Sequence, residues 1–503
     1  MSNLANTYTK KERNMYLAGM LGQNMIYNIV NTGLYFYFQS VIFLPAMAIG
    51  IFMAIARVWD AINDPMMGTI VDKTRTKWGK CRPYLIFCPA VICVVTILCF
   101  INGRYVDPKL GGNPTTNILI IIWAAVAYIL WGMSYTIGDI PLWGITALMT
   151  EDRNDRANIL ALARIAGGIG AGVVMLTIIQ VSQSVGKSLE AKVSDTSAAT
   201  QYGFIIVAII LTVIGSALFQ LTGIFTKERV TQSEEKYTMK ENFKLMWSNE
   251  PFRKLLISSV VRSPIMLLGN VAMTLLNYYY GDFGMKDYTI FLIILGGAIF
   301  IAQFVMSAVA PKLCEKFEKK KVYNLATLIS AVCFGLIYVV YLVAPTDLDK
   351  PFWVAVLFVL FAGAGAGQGA LNVLQSIIIA DAIDYEEWKN GIRPDGVFFS
   401  GQSFATKLSS GIASIIQSIA FAIIGFSGTN VENCNLALQN GAHFKTDFPE
   451  YSSVMFFLCA VPPAIGLALS VIPMLKYPLT NARHKEILDS LIEKRHSVSE
   501  NTD

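Results

Sequence analysis

RVWDAINDPMMGTIVDKTRTKWGKCRP, residues 57–83, carries Asp60, Asn63 and Asp64 inside an apolar run long enough to cross a membrane. It then closes on five basic residues, Lys73, Arg75, Lys77, Lys80 and Arg82. An ionisable group at the centre of a span costs about 2.5–3.5 kcal/mol on insertion scales, so such groups are rare and mark solute or ion pathways. Asp60, Asn63 and Asp64 fall at i, i+3 and i+4 and project from one helical face. Two carboxylates so placed repel unless something positive joins them. A small cation such as Na⁺ fits, because two carboxylates and an amide carbonyl offer hard oxygen ligands. A shared proton is the alternative, with one carboxyl made a weaker acid by burial and by its neighbour. A third reading is an internal salt bridge with Arg57 or Lys407 that only holds helices together. Pro65 removes a backbone N–H and either kinks the helix or frees a carbonyl as a further ligand.

The rest of the chain agrees with a membrane setting. Of 503 residues, 54% are hydrophobic and 15% charged, with a mean hydropathy of +0.51, whereas a soluble domain carries roughly 25% charged residues. The N-terminus is polar and basic (Lys10, Lys11, Arg13), and apolar runs recur to about residue 475, so a cleaved leader does not account for the hydrophobicity. The formal charge of +5 is spread over short loops, which argues against nucleic acid as a partner. Eight cysteines include no CxxC pair, which points away from a metal cluster or disulfide framework. Only three histidines occur (His443, His484, His496), so coupling chemistry falls to carboxylates, lysine or arginine.

A span needs about 20 apolar residues, and that rule gives twelve, near 15–40, 44–71, 84–102, 117–149, 158–182, 203–225, 254–281, 288–311, 323–344, 352–381, 397–426 and 451–475. The basic loops after spans 2 and 8 place both termini in the cytoplasm by the positive-inside rule, in a multi-pass protein of the cell membrane. The longest charged linker follows span 6. The expected organisation is a six-helix half over 1–225, a cytoplasmic middle loop over 226–253, a second half over 254–480 and a tail over 481–503. This layout predicts an all-α membrane protein of the major-facilitator fold, twelve transmembrane helices in two six-helix halves.

Residue counts from the charged loop ends put Asp60, Asp139 and Lys407 at one depth, near the middle of an apolar layer about 30 Å thick. Arg164 and Asn24 fall slightly nearer the cytoplasm. Asp139 sits in WGMSYTIGDIPLWGI with Tyr135, Thr136 and, one turn on, Trp143. An indole beside a carboxylate suits a sugar, whose ring face stacks while its hydroxyls bond the acid; a lipid-facing or core aromatic is the alternative for Trp143. The runs RIAGGIGAG and AGAGAGQGA (Gly167, Gly168, Gly170, Gly172; Gly363, Gly365, Gly367, Gly369) lack the Lys-Ser of a phosphate loop and predict close helix packing. DAIDYEEW (Asp381, Asp384, Glu386, Glu387) closes span 10 as either gate contacts with basic loops or a solvated end.

From span 1 to span 12 the chain resembles the glycoside–pentoside–hexuronide:cation symporters, the family of the melibiose permease. The resemblance is carried by RVWDAINDPMMG with TRTKWGKCRPY, by ILWGMSYTIGDIPLW, and by DAIDYEEWKNGIR followed by Lys407. It implies a Na⁺, Li⁺ or H⁺ site of Asp60, Asn63, Asp64 and Thr136, and a sugar site drawing on Asn24, Tyr135, Asp139, Trp143, Arg164, Gln402 and Ser403, with Lys407 coupling the two. Where the melibiose permease has a Lys-Asp pair on span 1, this chain has Gln23 and Asn24. An amide bonds hydroxyls but offers no carboxylate, which points to a pentoside, a glucoside or a uronide instead of a galactoside. The expected function is cation-coupled symport of a sugar or glycoside by alternating access, with no enzymatic activity and no cofactor beyond the co-transported cation. A lipid-like cargo on the same fold and a transporter-like sensor are the alternatives. A membrane-embedded enzyme is disfavoured because the acids lie at mid-depth, away from an interface and from any histidine.

Overall fold

The computed structural model describes residues 7–150, 153–193, 195–229, 239–391 and 395–500. Among them all regular structure is helical, apart from an isolated bridge between Thr76 and Gly79. Among the described residues ten helices are long and apolar enough to cross a membrane, or eleven when Glu250–Val261 and Ser263–Tyr280, which meet at a 44° bend, count as one span. The expected twelve is not reached by this measure because the first span is polar. Lys10–Asn28 opens on KKER and carries Gln23, Asn24 and Asn28, and its apolar continuation winds through π-helical turns at Ile29–Leu34 and Tyr37–Val41.

The chain forms two compact units. The first comprises Met1–Glu235, Asp282–Lys286 and Ser414–Ala442. Its helices are α1 (Lys10–Asn28), α2 (Ala46–Lys73), α3 (Arg82–Phe100), α4 (Pro114–Met149), α5 (Arg153–Leu189) and α6 (Thr196–Phe225). Local chemistry sets their starts. Thr9 and Glu12 form a reciprocal capping box on α1, Asn113 caps α4 just before Pro114, and Asp195 caps α6. On α2 the exposed large apolar residues Ile51, Ile55, Val58, Ile62, Met66 and Ile70 recur at helical spacing, while Asp60, Asn63, Met67 and Val71 are buried. The outward stripe suits lipid and the buried one carries the polar trio. Pro65 lies outside the described side chains. A core of Tyr16, Met20, Ile26, Leu85, Ile92, Leu142, Ile145 and Phe219 holds α1, α3, α4 and α6 together. α1 approaches α5 and α6 backbone to backbone: a Cβ on Gly170 would strike the Leu21 carbonyl, and one on Gly22 the Gly215 carbonyl.

The second unit comprises Lys236–Gly281, Asp287–Ala413 and His443–Asp503. It contains α7 (Met239–Ser248), α8 (Glu250–Val261), α9 (Met266–Leu275), α10 (Thr289–Phe291), α11 (Gly297–Lys316), α12 (Lys319–Val343), α13 (Pro351–Asn390) and the first part of α14 (Asp395–Ile423). After α15 (Thr429–Gln439), which belongs to the first unit, it resumes with α16 (Phe444–Asp447), α17 (Pro449–Leu475) and α18 (Asn481–Glu500). Of the linker expected over 226–253, residues 230–238 lie outside the described ones and α7 is helical. The segment expected as a tail forms α18, docked on α13 by His484 Nε2 at 3.1 Å from Asp384 Oδ2 and by Arg483 over the Trp388 ring. Helix α13 runs nine residues past the expected end of span 10, so DAIDYEEW is helical. There Asp381 meets Lys319 of the basic loop at 2.6 Å, and buried Glu386 accepts from Asn249 at 2.9 Å. The glycine runs pack as their spacing predicts at Gly167, Gly170, Gly365 and Gly369, whereas Gly172 faces open space.

Candidate functional site

Within the first unit, α4 presents two adjacent stripes. One, Gly132 and Thr136, faces α2. Thr136 Oγ1 donates to Asp64 Oδ1 at 3.1 Å, and a Cβ on Gly132 would lie 2.8 Å from Asp60 Oδ1. The four-residue interval is the same on both helices, so Asp60 and Asp64 stack against Gly132 and Thr136 like rungs. Asp60 and Asn63 are 7% and 8% exposed. At this depth both have left bulk water, so the Asp60 charge must be offset locally and the Asn63 amide hydrogen-bonded. Arg57 Nη1 lies 3.4 Å from Asp60 Oδ2 and also neighbours Tyr27 and Tyr128. The salt bridge weighed from sequence is therefore present with Arg57. It sets one positive charge beside the acidic pair. The Asn63 amide nitrogen is buried without an acceptor among the described residues. No group of three His, Cys, Asp or Glu side chains able to hold a metal ion occurs among the described residues. A cation held here would therefore draw on amide and hydroxyl oxygens beside the two acids, a donor set suited to a singly charged hard ion and not to a transition metal.

The second stripe, Tyr135 and Asp139, faces α1. Gln23 donates through Nε2 to Asp139 Oδ1 at 2.7 Å and to the Tyr135 hydroxyl. Asn24 in turn donates to Gln23 Oε1 at 2.7 Å, and Asn28 donates to the Asn24 carbonyl at 2.8 Å. A Cβ on Gly167 of α5 would lie 2.6 Å from Asn24 Nδ2, so this glycine lets the amide reach the Gln23–Asp139 chain. Arg164, one turn before Gly167, is exposed and makes no ion pair or hydrogen bond among the described residues. Around the acid lies a wall of rings. Trp131 and Tyr135 stack at 5.0 Å, Tyr27 lies 5.4 Å from Tyr135, and Tyr128 stacks on Trp131 at 6.2 Å. Trp131 Nε1 is fixed by Thr96 Oγ1 at 3.1 Å. Flat aromatic faces beside a carboxylate and three amides form a surface able to stack a sugar ring and bond its hydroxyls.

Among the residues picked out from sequence, the first unit brings together Asp60, Asn63, Asp64 and Thr136, and separately Asn24, Tyr135 and Asp139. Trp143 stands apart: its ring is 37% exposed and stacks on no ring among the described residues. Gln402, Ser403 and Lys407 lie on α14 in the second unit, with Gln402 and Lys407 half-buried and Ser403 exposed. Sequence reading left Gln23, Tyr27, Tyr128 and Trp131 out of the site. Their signal was available in the i, i+3, i+7 spacing of Tyr128, Trp131 and Tyr135, which places all three on the Asp139 face.

Comparison with known proteins bears on the family and the fold. An isoprimeverose transporter of Lactiplantibacillus pentosus is 24% identical over 97% of this chain and 92% of its own length. A symporter of Bacillus subtilis, YjmB, is 28% identical over 96% of this chain and 95% of its own length. A glucuronide carrier protein homolog of Escherichia coli is 23% identical over 96% of each. The fold matches a bacterial homolog of the human lysosomal transporter Spinster in an inward-facing, unoccupied conformation (TM-score 0.60, 11% identity, 96% of each chain). It also matches the inward-open xylose transporter XylE of E. coli (TM-score 0.56, 14% identity, 95% of this chain and 99% of that one). With its apolar helices and a match of residues 15–481 to the family profile, this chain is a multi-pass membrane transporter and belongs to the family described as MFS/sugar transport protein.

Proposed function

We propose that the chain is a symporter that couples a monovalent cation, Na⁺, Li⁺ or H⁺, to uptake of a sugar or glycoside by alternating access. The observation that carries this is the contact of one helix, α4, with an acidic pair through Thr136 and with an amide-and-ring cluster through Asp139. Relatives named for isoprimeverose and glucuronide support a sugar cargo. In this reading Asp60, Asn63, Asp64 and Thr136 bind the cation. Asn24, Tyr135, Asp139, Trp143 and Arg164 serve the sugar with Gln402 and Ser403, and Lys407 links the two events. Tyr27 and Trp131 join as the stacking surface. The moving bodies are the halves 1–225 and 254–480, joined by 226–253. Both termini face the cytoplasm of the cell membrane, as the basic loops after spans 2 and 8 require.

Cation binding neutralises the acids of α2 and releases α4 from their repulsion, so sugar binds better with the cation present, and the reverse holds by linkage. The test is uptake into proteoliposomes of the purified protein under an imposed Na⁺ or H⁺ gradient, across a panel of glycosides, pentosides and uronides. Accumulation above the external concentration that collapses with the gradient, and is lost in Asp64→Asn, supports symport. Gradient-independent equilibration, or full accumulation in Asp64→Asn, refutes the coupling assignment. No sugar moved under any gradient refutes the cargo.

A further inference from the structure

Two stretches that the sequence assigns to the half 254–480 are packed in the first unit, Asp282–Lys286 and Ser414–Ala442. The longer one is built to dock. On α15, Val431, Cys434 and Leu438 fall at i, i+3 and i+7 and are 0%, 1% and 2% exposed, whereas Leu436 is exposed, so the helix lays one apolar face down. Just before it, the Phe426 carbonyl accepts from Gln39 Nε2 at 2.9 Å, and Ser427 Oγ accepts from the Ala46 N–H at 2.8 Å. Ala46 opens α2, whose N-cap Pro45 offers no side-chain acceptor, so Ser427 satisfies one of the free N–H groups of that helix from a distant part of the chain. Asn435 Nδ2 donates to the Ser40 carbonyl at 2.9 Å. The shorter stretch holds by a stack of Phe283 on Phe36 at 6.2 Å and by Lys187 Nζ donating to the Gly284 carbonyl at 2.7 Å.

The charged contact among these has an uneven construction. Arg104, four residues beyond α3, donates through Nη1 to Asp195, the cap of α6, and through Nη2 to Glu432 Oε1 on α15 at 2.9 Å. Arg104 and Asp195 both belong to 1–225, so their pair keeps the guanidinium aimed whether or not α15 is present. Only Glu432 comes from the other half. A planar fork can hold one carboxylate permanently and take up a second reversibly. The start of α2 and the cap of α6 mark this face as the one away from the basic loop 73–82, which follows the end of α2. It is the outer face in the orientation proposed above. When 1–225 and 254–480 move as separate halves, the two docked stretches must leave the first unit to travel with their own half.

We propose that Asp282–Lys286 and 426–439 form a two-point latch on the outer face, and that Arg104 is its catch, from which Glu432 must part before the second stretch can lift. The latch rests on the alternating-access reading and deepens it. Cys434 is a built-in reporter, because it is buried under docked α15 and burial pushes its thiol up to about 12, which makes it slow to react until the helix lifts. The experiment adds a membrane-impermeant charged maleimide to the outside of right-side-out vesicles holding the full chain, and follows the Cys434 peptide by mass spectrometry. Labelling should be slow in wild type and roughly tenfold faster in Arg104→Gln, which leaves Glu432 beside Asp195 unpaired, and in Glu432→Lys, which sets two cations together. Asp349→Asn breaks an ion pair inside the second unit, to Lys445 at 2.8 Å, and should change nothing. Unaltered labelling in folded Arg104→Gln and Glu432→Lys overturns the latch, as does wild-type labelling as fast as in urea-unfolded protein or an equal gain in Asp349→Asn. If Arg104→Gln does not fold, Glu432→Lys on partly exposed α15 decides. Cys434 reached only from the inner side overturns the outer placement, whereas the expected labelling without any gradient-driven sugar uptake sinks the symporter reading and leaves the latch standing.

Discussion

Gly132→Ala tests the cation site without replacing a charged or polar side chain. The added methyl would sit 2.8 Å from Asp60 Oδ1, well inside ordinary contact, on a helix already fixed by the Trp131–Thr96 bond. The carboxylate, as the terminus of a side chain, is what gives way, by about half an ångström. At an effective dielectric near 20, moving a carboxylate oxygen from about 2.4 to about 2.9 Å from a bound cation weakens the attraction by about 1.2 kcal/mol, roughly eightfold in affinity. The expected outcome is an eight- to tenfold rise in the cation concentration that half-saturates sugar uptake, with sugar affinity unchanged once cation is saturating. Gly172→Ala is the control. Its methyl meets nothing within 4 Å, and replacing a helical glycine stabilises by about 0.5–1 kcal/mol, so transport should stay unchanged and the melting temperature should hold or rise. Unaltered cation dependence in folded Gly132→Ala would show that Asp60 does not bind the cation. A loss confined to sugar affinity would assign Asp60 to the wrong site.

The remaining expectations are narrower. Gln23→Leu removes the donor to Asp139, and a hydrogen bond to a charged group contributes about 1.5–3 kcal/mol, so sugar affinity should fall roughly 10- to 100-fold by titration with cation affinity preserved. Asp139→Asn should abolish sugar binding while cation-induced quenching of tryptophan fluorescence persists; unaltered sugar affinity would remove Asp139 from the site. Glu12 tests the fold instead. Burial alone would raise its carboxyl, but the Thr9 backbone N–H and the Arg229 guanidinium, 2.9 Å away, outweigh it and hold the group below its ordinary value of 4.5. A depressed carboxyl stabilises the folded state above the unfolded value, and that contribution fades as pH falls from about 4.5 through the lower folded value. The melting temperature of wild type should therefore drop more between pH 5 and pH 3 than that of Glu12→Gln, which starts lower because the capping box is broken; parallel curves would refute the pairing.

Much of the fold was legible because membrane spans are written in composition. The lipid-facing stripe of α2 and the glycines at Gly167 and Gly365 follow from helical spacing, and the structure places them as that spacing requires. The acids of α2 were legible for the same reason, since a carboxylate in an apolar run has few explanations. Less legible was whatever depends on a second helix. Gln23 is an unremarkable amide until α1 is laid against Asp139, and Trp131 reads as one more apolar residue until its ring stacks on Tyr135. Trp143 shows the converse: it is one turn from Asp139 in sequence, yet it stands apart from the ring cluster and is 37% exposed.

The register of α4 bears most directly on how two ligands could be coupled. Gly132 and Thr136 oppose Asp60 and Asp64, while Tyr135 and Asp139 oppose Gln23, so the two stripes are offset by three residues, about 100° × 3 of helical turn and 4.5 Å of rise. A rotation of α4 that tightens one stripe against α2 necessarily carries Tyr135 and Asp139 past α1. With Trp131 tied to Thr96 on α3, the helix cannot answer by sliding along its axis without breaking that bond. Rotation is then the lower-cost response to neutralising Asp60 and Asp64, and it changes the distance from Gln23 to Asp139. Breaking the tie with Trp131→Phe keeps both sites chemically intact but frees the helix to slide. The expected outcome is near-normal affinity for each ligand alone with a several-fold smaller enhancement of one by the other, measured by titrating sugar with and without saturating cation. Full mutual enhancement in Trp131→Phe would show that coupling does not run through the fixed register of α4.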